Sequence, residues 1–426
     1  MTGQEEQPGT LLPWVIGLVL VSAAFVNPLD FAAGTDYERA TSSTSLLTLA
    51  KLGVAAVATL VGALGLLFSP RTRRLINTVP GAALVALGVV FFLTSFVATP
   101  EVRTISIASS LIYFGYLLFL LTAMATIGCR RVVACLVGGT ALYLLLTWGV
   151  FVLIPEQGRF TEYTSATDSV TRMGGTGHPN HIAKTAVAGG LMGVALLLGR
   201  SIGVQQPWWR LVLMGVVVLV AATCLATFSR TAILAGIAAG GVMLIDRLYG
   251  RGGLAVVVAS LAGVSALILV IALITGEGPF SKSAVGVVTK SGDVEELTSL
   301  TGRTTIWGEA IGLIAQRPLT GWGLDSAATV MSKRATGTHN LVLHVFFSAG
   351  VLAAVLIVVL LVWSLIFGAT SRHDWIRGVM AFVLISGLVE DTILESFPTI
   401  ITLLWITALL APTLAAPDTS PRYAPS

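Results

Sequence analysis

The chain has 426 residues, of which 55% are hydrophobic and only 11% charged, with a formal net charge of +4. Soluble domains carry roughly 25% charged residues, so this composition excludes an ordinary water-soluble fold and reads as an integral membrane protein. The apolar runs are too long and uniform for the alternating strands of a barrel, and the basic residues are too scattered for a nucleic-acid surface.

At roughly 20 residues per span, the expected fold is all-α, a polytopic bundle of about twelve transmembrane helices. They fall near 10–26, 45–69, 81–98, 104–127, 132–154, 181–199, 209–228, 231–246, 254–275, 339–367, 377–393 and 397–413. The first run follows MTGQEEQPGT, which lacks the basic n-region of a cleavable signal, so Leu11–Val26 reads as a retained helix. Alternate short connections carry Arg71, Arg73 and Arg74; Arg130 and Arg131; Arg200 and Arg210; Arg247 and Arg251; Arg372 and Arg377. The positive-inside rule makes these cytoplasmic, together with both termini. One transmembrane domain, 1–426, then carries two long extracytoplasmic loops, 155–180 and 276–338, the larger ahead of helix 10. Inside that loop Ile306, Trp307, Ala310, Ile311 and Ile314 recur at helical spacing, so Thr304–Gln316 reads as a short amphipathic helix closed by Arg317-Pro318. Cys129, Cys135 and Cys224 match neither a metal nor a disulfide pattern.

Four polar stretches fall on the outer side: TRMGGTGHPNHIAK from Thr171 to Lys184, Ser229-Arg230 in TFSRTA, Arg303 in LTGRTTIW, and Thr338-His339-Asn340. Arg230 and Arg303 each stand at a helix N-terminus, where the macrodipole opposes a cation by roughly 0.3–1 kcal/mol. A bound anion reverses that sign, so the pair reads as a phosphate site; the plainer reading is snorkelling to lipid phosphates. At a helix mouth the dipole keeps His339 neutral and able to accept a proton, against the plainer role of bonding loop backbone. Asn340 is placed to orient His339 or a substrate hydroxyl, and His344 reads as structural. Asn180, His178, Lys184 and Ser229 belong to the same outer mouths as supporting residues. His178 and His181 invite a zinc reading, but no third ligand is near. Lys51 and Lys184 read as snorkelling outward, with Lys184 also within reach of the anion. Glu390 and Asp391, like Asp293, Glu295 and Glu296 in the long loop, read as solvated charges rather than as a tight carboxylate set. No metal and no cofactor are expected.

HPN opening a helix, SRT at a tight outer turn, TGRTTIW, and HN ahead of Gly350 occur in that order, and the ordered set resembles the O-antigen ligase and O-antigen polymerase superfamily of bacterial envelope membrane proteins. The resemblance implies transfer of a glycan from an undecaprenyl-diphosphate carrier to a hydroxyl acceptor (a glycolipid, a wall polymer or a protein) on the outer side of the cytoplasmic membrane. It further implies inversion without a metal, with Arg230 and Arg303 on the diphosphate and His339 activating the acceptor. The partners so implied are the lipid-linked donor, the acceptor and the surrounding lipids, with no nucleic acid. Ala353 stands where ligases often have glycine, threonine or tyrosine, which keeps a polymerase of lipid-linked repeat units as the alternative. A transporter or lipid flippase is the alternative of another class; transporters carry their ionisable residues near the midplane, whereas here they gather at the outer surface.

Overall fold

The computed structural model describes residues 11–31, 46–163, 169–199, 202–245, 248–249, 303–331, 337–388, 390–391, 393, 395 and 397–414. The span expected at 254–275, most of the loop expected at 276–338, and Asp293, Glu295 and Glu296 lie outside these residues. The described elements are α1 (Leu12–Val26), α2 (Leu46–Phe68), α3 (Pro70–Ile76), α4 (Val79–Ser95), α5 (Pro100–Leu153), α6 (Pro155–Gly158), β1 (Arg159–Tyr163), β2 (Ser169–Met173), α7 (Pro179–Leu198) and α8 (Pro207–Thr227). They continue with α9 (Arg230–Ile245), α10 (Arg303–Gln316), α11 (Ala327–Val330), α12 (Leu341–Thr370), α13 (Asp374–Gly387) and α14 (Ile400–Leu414).

Among the described residues five helices, α2, α5, α7, α8 and α12, are long and apolar enough to cross a membrane, or six if α3 and α4, bent by 81° at their junction, form one span. The expected count of about twelve includes 254–275, outside the described residues, and two physical features separate helix from span in the rest. Several bundle helices are short: the 15 residues of α1 rise only about 22 Å at 1.5 Å each, against a hydrocarbon core of about 30 Å. Conversely, the 54 residues of α5 would run about 80 Å if straight. Instead α5 folds back at Gly128, whose φ of 77° and ψ of 160° are non-helical. Asn27 bonds the Tyr116 hydroxyl at 3.1 Å, while Gly177 lies against both the Tyr143 hydroxyl and the Pro28 carbonyl. Tyr116 and Tyr143, on either side of Gly128, therefore stand at the same level of the bundle.

Apolar side chains also point outward, among them Leu18, Leu60, Leu67, Leu145, Leu211, Val218, Leu225, Ile237 and Leu365. A water-soluble monomer does not expose so much apolar surface; a lipid-facing bundle does. The helix expected at 304–316 is present as α10, with Ala310 and Ile314 buried and Ile311 exposed, and residues 155–180 hold the departure from an all-α chain, the antiparallel hairpin β1–β2 with Arg159 opposite Met173.

The second bent helix is α12, broken at Gly350 with φ 77° and ψ −172°. A break in an apolar helix strands backbone groups that lipid cannot satisfy, and here the segment 318–323 supplies partners. Trp322 and Gly323 donate their N–H groups to the carbonyls of Phe347 and Ser348, each at 2.8 Å, and Val351 donates to the Pro318 carbonyl at 2.8 Å. The segment is itself fixed from outside: the Arg317 guanidinium lies 4.7 Å over the Trp322 ring, and Leu324 donates to Ser106 Oγ at 2.8 Å. What reads as one span from His339 is thus a half-helix, Leu341–Ala349, followed by a limb of about 30 Å from Val351 onward.

The connections sort into two ends. Asn27 donates to the Pro398 carbonyl at 2.8 Å, Asp30 to the Thr176 carbonyl at 2.8 Å, and Arg172 to the Thr227 carbonyl at 2.7 Å. Lys51, near the start of α2, lies 5.4 Å over the Phe397 ring. The far ends of α2, α7, α9 and α12 lead to the short basic connections. One of those residues, Arg377, is buried rather than lying in a loop, and its guanidinium closes α12 by donating to the Ser371 carbonyl at 2.6 and 3.0 Å.

Candidate functional site

The site grows from the mouth of α12. Asn340 is its N-cap: the side-chain oxygen accepts from the Leu343 N–H at 3.0 Å, satisfying a donor that the first turn leaves orphaned. The other end of the same amide donates to the Leu388 carbonyl at 3.0 Å, which clamps the end of α13 to the start of α12. Asn340 is thus committed to structure at both ends of its amide. One residue earlier the chain turns through a left-handed conformation at His339, φ 50°, and Thr338, buried, offers its carbonyl to Trp307 Nε1 of α10 at 3.0 Å.

The clamp delivers Glu390. Two residues past Leu388, its carboxylate is buried to 5% exposure and stands 3.5 Å from His339 Nδ1, itself 32% exposed. On its other side Lys184 Nζ lies at 3.6 Å. This corrects two expectations. Lys184 does not snorkel outward but is buried within α7, and Glu390 is no solvated charge. The physical reason is mutual: neither a buried ammonium nor a buried carboxylate is tolerated unpaired, and together they can both leave water. Asp391 faces inward as well, 3.7 Å from His344 Nδ1. Burial pushes the Asp391 carboxyl up, but its electrostatic contacts with His344, Lys184 and His339 outweigh that and hold the group below its usual value.

A second contact of the same kind lies beside the first: His181 Nε2 meets Glu395 at 2.9 Å, three residues before Lys184 on α7. His178 caps α7, its Nδ1 accepting from the Asn180 N–H at 3.2 Å, and packs edge-on to Phe160 with ring centroids 5.2 Å apart. Asn180 accepts from Arg172 Nη2 at 2.7 Å. That arginine, in β2, is 4% exposed and also holds the Thr227 carbonyl. It therefore ties the start of α7 to the turn that carries Ser229 and Arg230. Ser229 Oγ is buried with no hydrogen-bond partner among the described residues, and Arg230, exposed, opens α9. Arg303 is the first residue of α10, one turn before Trp307; its side chain lies outside the described residues.

Among the described residues one group could hold a metal ion: ligand atoms of His339, Glu390 and Asp391 lie within 4.8 Å of one another. Lys184 already supplies Glu390 with the counter-charge that an ion would bring. Beneath this mouth an apolar groove of about 350 Å³ runs between α7, α8 and α9, lined by Val187, Leu191, Val220, Ile233, Ile237 and Met243 among others.

Residues 215–358 match the O-antigen ligase family model. That segment is similar to the O-antigen ligase family. The matched segment runs from α8 through the Gly350 break and includes Arg230, Arg303 and His339. The match together with the apolar helices supports a bacterial membrane protein similar over this segment to O-antigen ligases. No curated protein matches the chain.

Glu390, Lys184 and Arg172 form the part of the mouth that sequence reasoning underweights. A signal existed for Glu390: ionisable residues at the end of a membrane helix are costly and mark function by default. For Arg172 the only hint is its place in a segment otherwise rich in glycine.

Proposed function

We propose that the protein is a ligase-type enzyme, transferring a glycan from undecaprenyl diphosphate to a hydroxyl acceptor outside the cytoplasmic membrane, with inversion and without a metal. The observation that carries the reading is His339, a third exposed at the mouth of α12, with Nδ1 3.5 Å from the buried Glu390 carboxylate. The acceptor oxygen attacks the anomeric carbon while the bond from that carbon to the diphosphate oxygen breaks. The electron pair leaves on the diphosphate, and the hydroxyl proton passes to His339 Nε2. A positioned base of this kind supplies roughly 10²–10⁴-fold.

The leaving group needs its charge stabilised more than it needs protonation. Arg230 at the N-terminus of α9, with the buried Ser229 Oγ beside it, and Arg303 at the N-terminus of α10 are the donors suited to that task. The apolar groove starts one turn below Arg230, at Ile233, and is of the right character to take the polyprenyl chain. In this reading the segments 155–180 and 276–338 face outward, the basic connections and both termini face the cytoplasm, and 1–426 forms one transmembrane domain. Asn180 and His178 shape the mouth through Arg172 and the α7 cap.

The test uses purified protein in nanodiscs with undecaprenyl-diphosphate-linked glycan and extracted envelope lipids, following release of undecaprenyl diphosphate and product size. The expected result is one discrete product, its rate lowered about 10²-fold or more in His339→Ala and in Arg230→Ala with thermal unfolding unchanged. Full activity in both folded variants overturns the site, and a ladder of products makes the enzyme a polymerase. Arg303→Lys should rescue poorly, because lysine lacks the bidentate fork. Activity should survive a chelator; loss restored by one added divalent ion would overturn the metal-free mechanism.

A further inference from the structure

We infer that Glu390 and Lys184 are positioning residues for the transfer, with Glu390 holding His339 by its Nδ1 edge and Lys184 holding Glu390. The inference rests on the transferase reading of His339 and adds the machinery that makes this histidine a base. Three observations converge on it. Glu390 sits almost fully buried between two nitrogen partners, Lys184 Nζ at 3.6 Å and His339 Nδ1 at 3.5 Å. Its location is imposed by the backbone, because the Asn340 amide that caps α12 also grips the Leu388 carbonyl. And His339 and Glu390 stand 51 residues apart in the chain, so their contact is made by the fold and not by a local turn.

The chemistry follows from the geometry. A carboxylate accepts only, so the ring nitrogen facing it carries the proton, and the lone pair is left on Nε2, where the acceptor hydroxyl arrives. The contact at 3.5 Å is long, as base contacts often are before substrate binds. Charge is arranged to match. Glu390 and Asp391 bring two negative charges to the mouth, and Lys184 brings one positive charge. His344 faces Asp391, and Glu395 faces His181 and, more distantly, Lys184. The excess negative charge beside His339 is what a developing imidazolium neutralises as it takes the acceptor's proton. An ion pair serving only to fill the bundle would need no histidine at its edge.

The deciding experiment compares kcat, donor KM and the pH–rate profile of wild type, Glu390→Gln, Glu390→Asp and the double variant Lys184→Met with Glu390→Gln, using the nanodisc assay above. Glu390→Gln should lower kcat by at least about 10-fold, within the range a positioned base contributes, and leave donor KM within about two-fold. Its acid limb should move to lower pH, since removing the carboxylate makes the imidazole easier to deprotonate. Glu390→Asp should restore part of that shift. The double variant removes both buried charges, so it should unfold at the wild-type temperature yet stay slow. Wild-type kcat and an unmoved acid limb in Glu390→Gln would overturn the inference, as would recovery of full rate in the double variant, because the pair would then serve stability alone. If His339→Ala itself keeps wild-type rate and profile, the failure lies in the transferase reading and not in Glu390.

Discussion

Gly128 and Gly350 break two helices with nearly the same backbone, φ 77° in both and ψ close to extended, yet the surroundings make them different devices. At Gly128 a side chain would meet nothing within 4 Å; the break is an open corner beside Arg130 and Arg131 that lets α5 turn back on itself. At Gly350 a side chain would run into the Leu319 carbonyl and the Thr320 N–H, because the segment 318–323 is laid against the break and bonds its stranded carbonyls. The first glycine makes a turn, and the second makes a joint between two parts of the molecule. Conformation alone does not distinguish them; occupancy of the space around the missing Cβ does.

Substitution can break that comparison or sharpen it. The largest effect is expected from Gly350→Ala. Its φ and ψ lie where residues other than glycine cost about 1–3 kcal/mol, and the collision with Leu319 must also push 318–323 off α12. The half-helix that carries Asn340 and follows His339 then shifts, and a displacement of about 1 Å at a reacting geometry can cost roughly 10²-fold. Undecaprenyl diphosphate release by the folded variant measures it, and a rate near wild type would reduce Gly350 to a second plain corner.

Trp307→Phe comes next. It deletes the bond to the Thr338 carbonyl, worth about 0.5–1.5 kcal/mol net, and loosens α10 from the residue before His339. A several-fold fall in rate with little change in unfolding temperature is expected, and an unchanged rate would argue that α10 acts independently of the α12 mouth. The smallest effect on rate belongs to Gly128→Ala, which should lose about 1–3 kcal/mol of stability from backbone strain alone while activity per folded molecule stays within about two-fold. A large loss of rate there would mean that the hairpin corner communicates with the site, contrary to the contrast drawn above.

Much of the molecule could be read from local pattern. Apolar runs located α1, α2, α7, α8, α12 and α14 to within a few residues, because hydropathy is a property of each segment by itself. The periodicity of Ile306, Trp307, Ala310, Ile311 and Ile314 located α10 for the same reason. The hairpin β1–β2 escaped because a short, polar, glycine-flanked segment carries no such period. Glu390 and Lys184 were misread for a deeper cause: the burial of a charge depends on its partner, and the partner sits on another helix.

The sequence by itself determined the membrane class, the position of most helices, the clustering of polar residues at one set of helix ends, and the resemblance to O-antigen ligases. Only the tertiary structure decided that Asn340 and His178 are helix caps, that α12 is interrupted and rejoined by 318–323, and that Glu390 stands between Lys184 and His339. Hydrophobic period and turn chemistry act over a few neighbouring residues and can be read one segment at a time. Pairing of buried charges and repair of a broken helix are satisfied across the bundle, so they exist only once the helices have met.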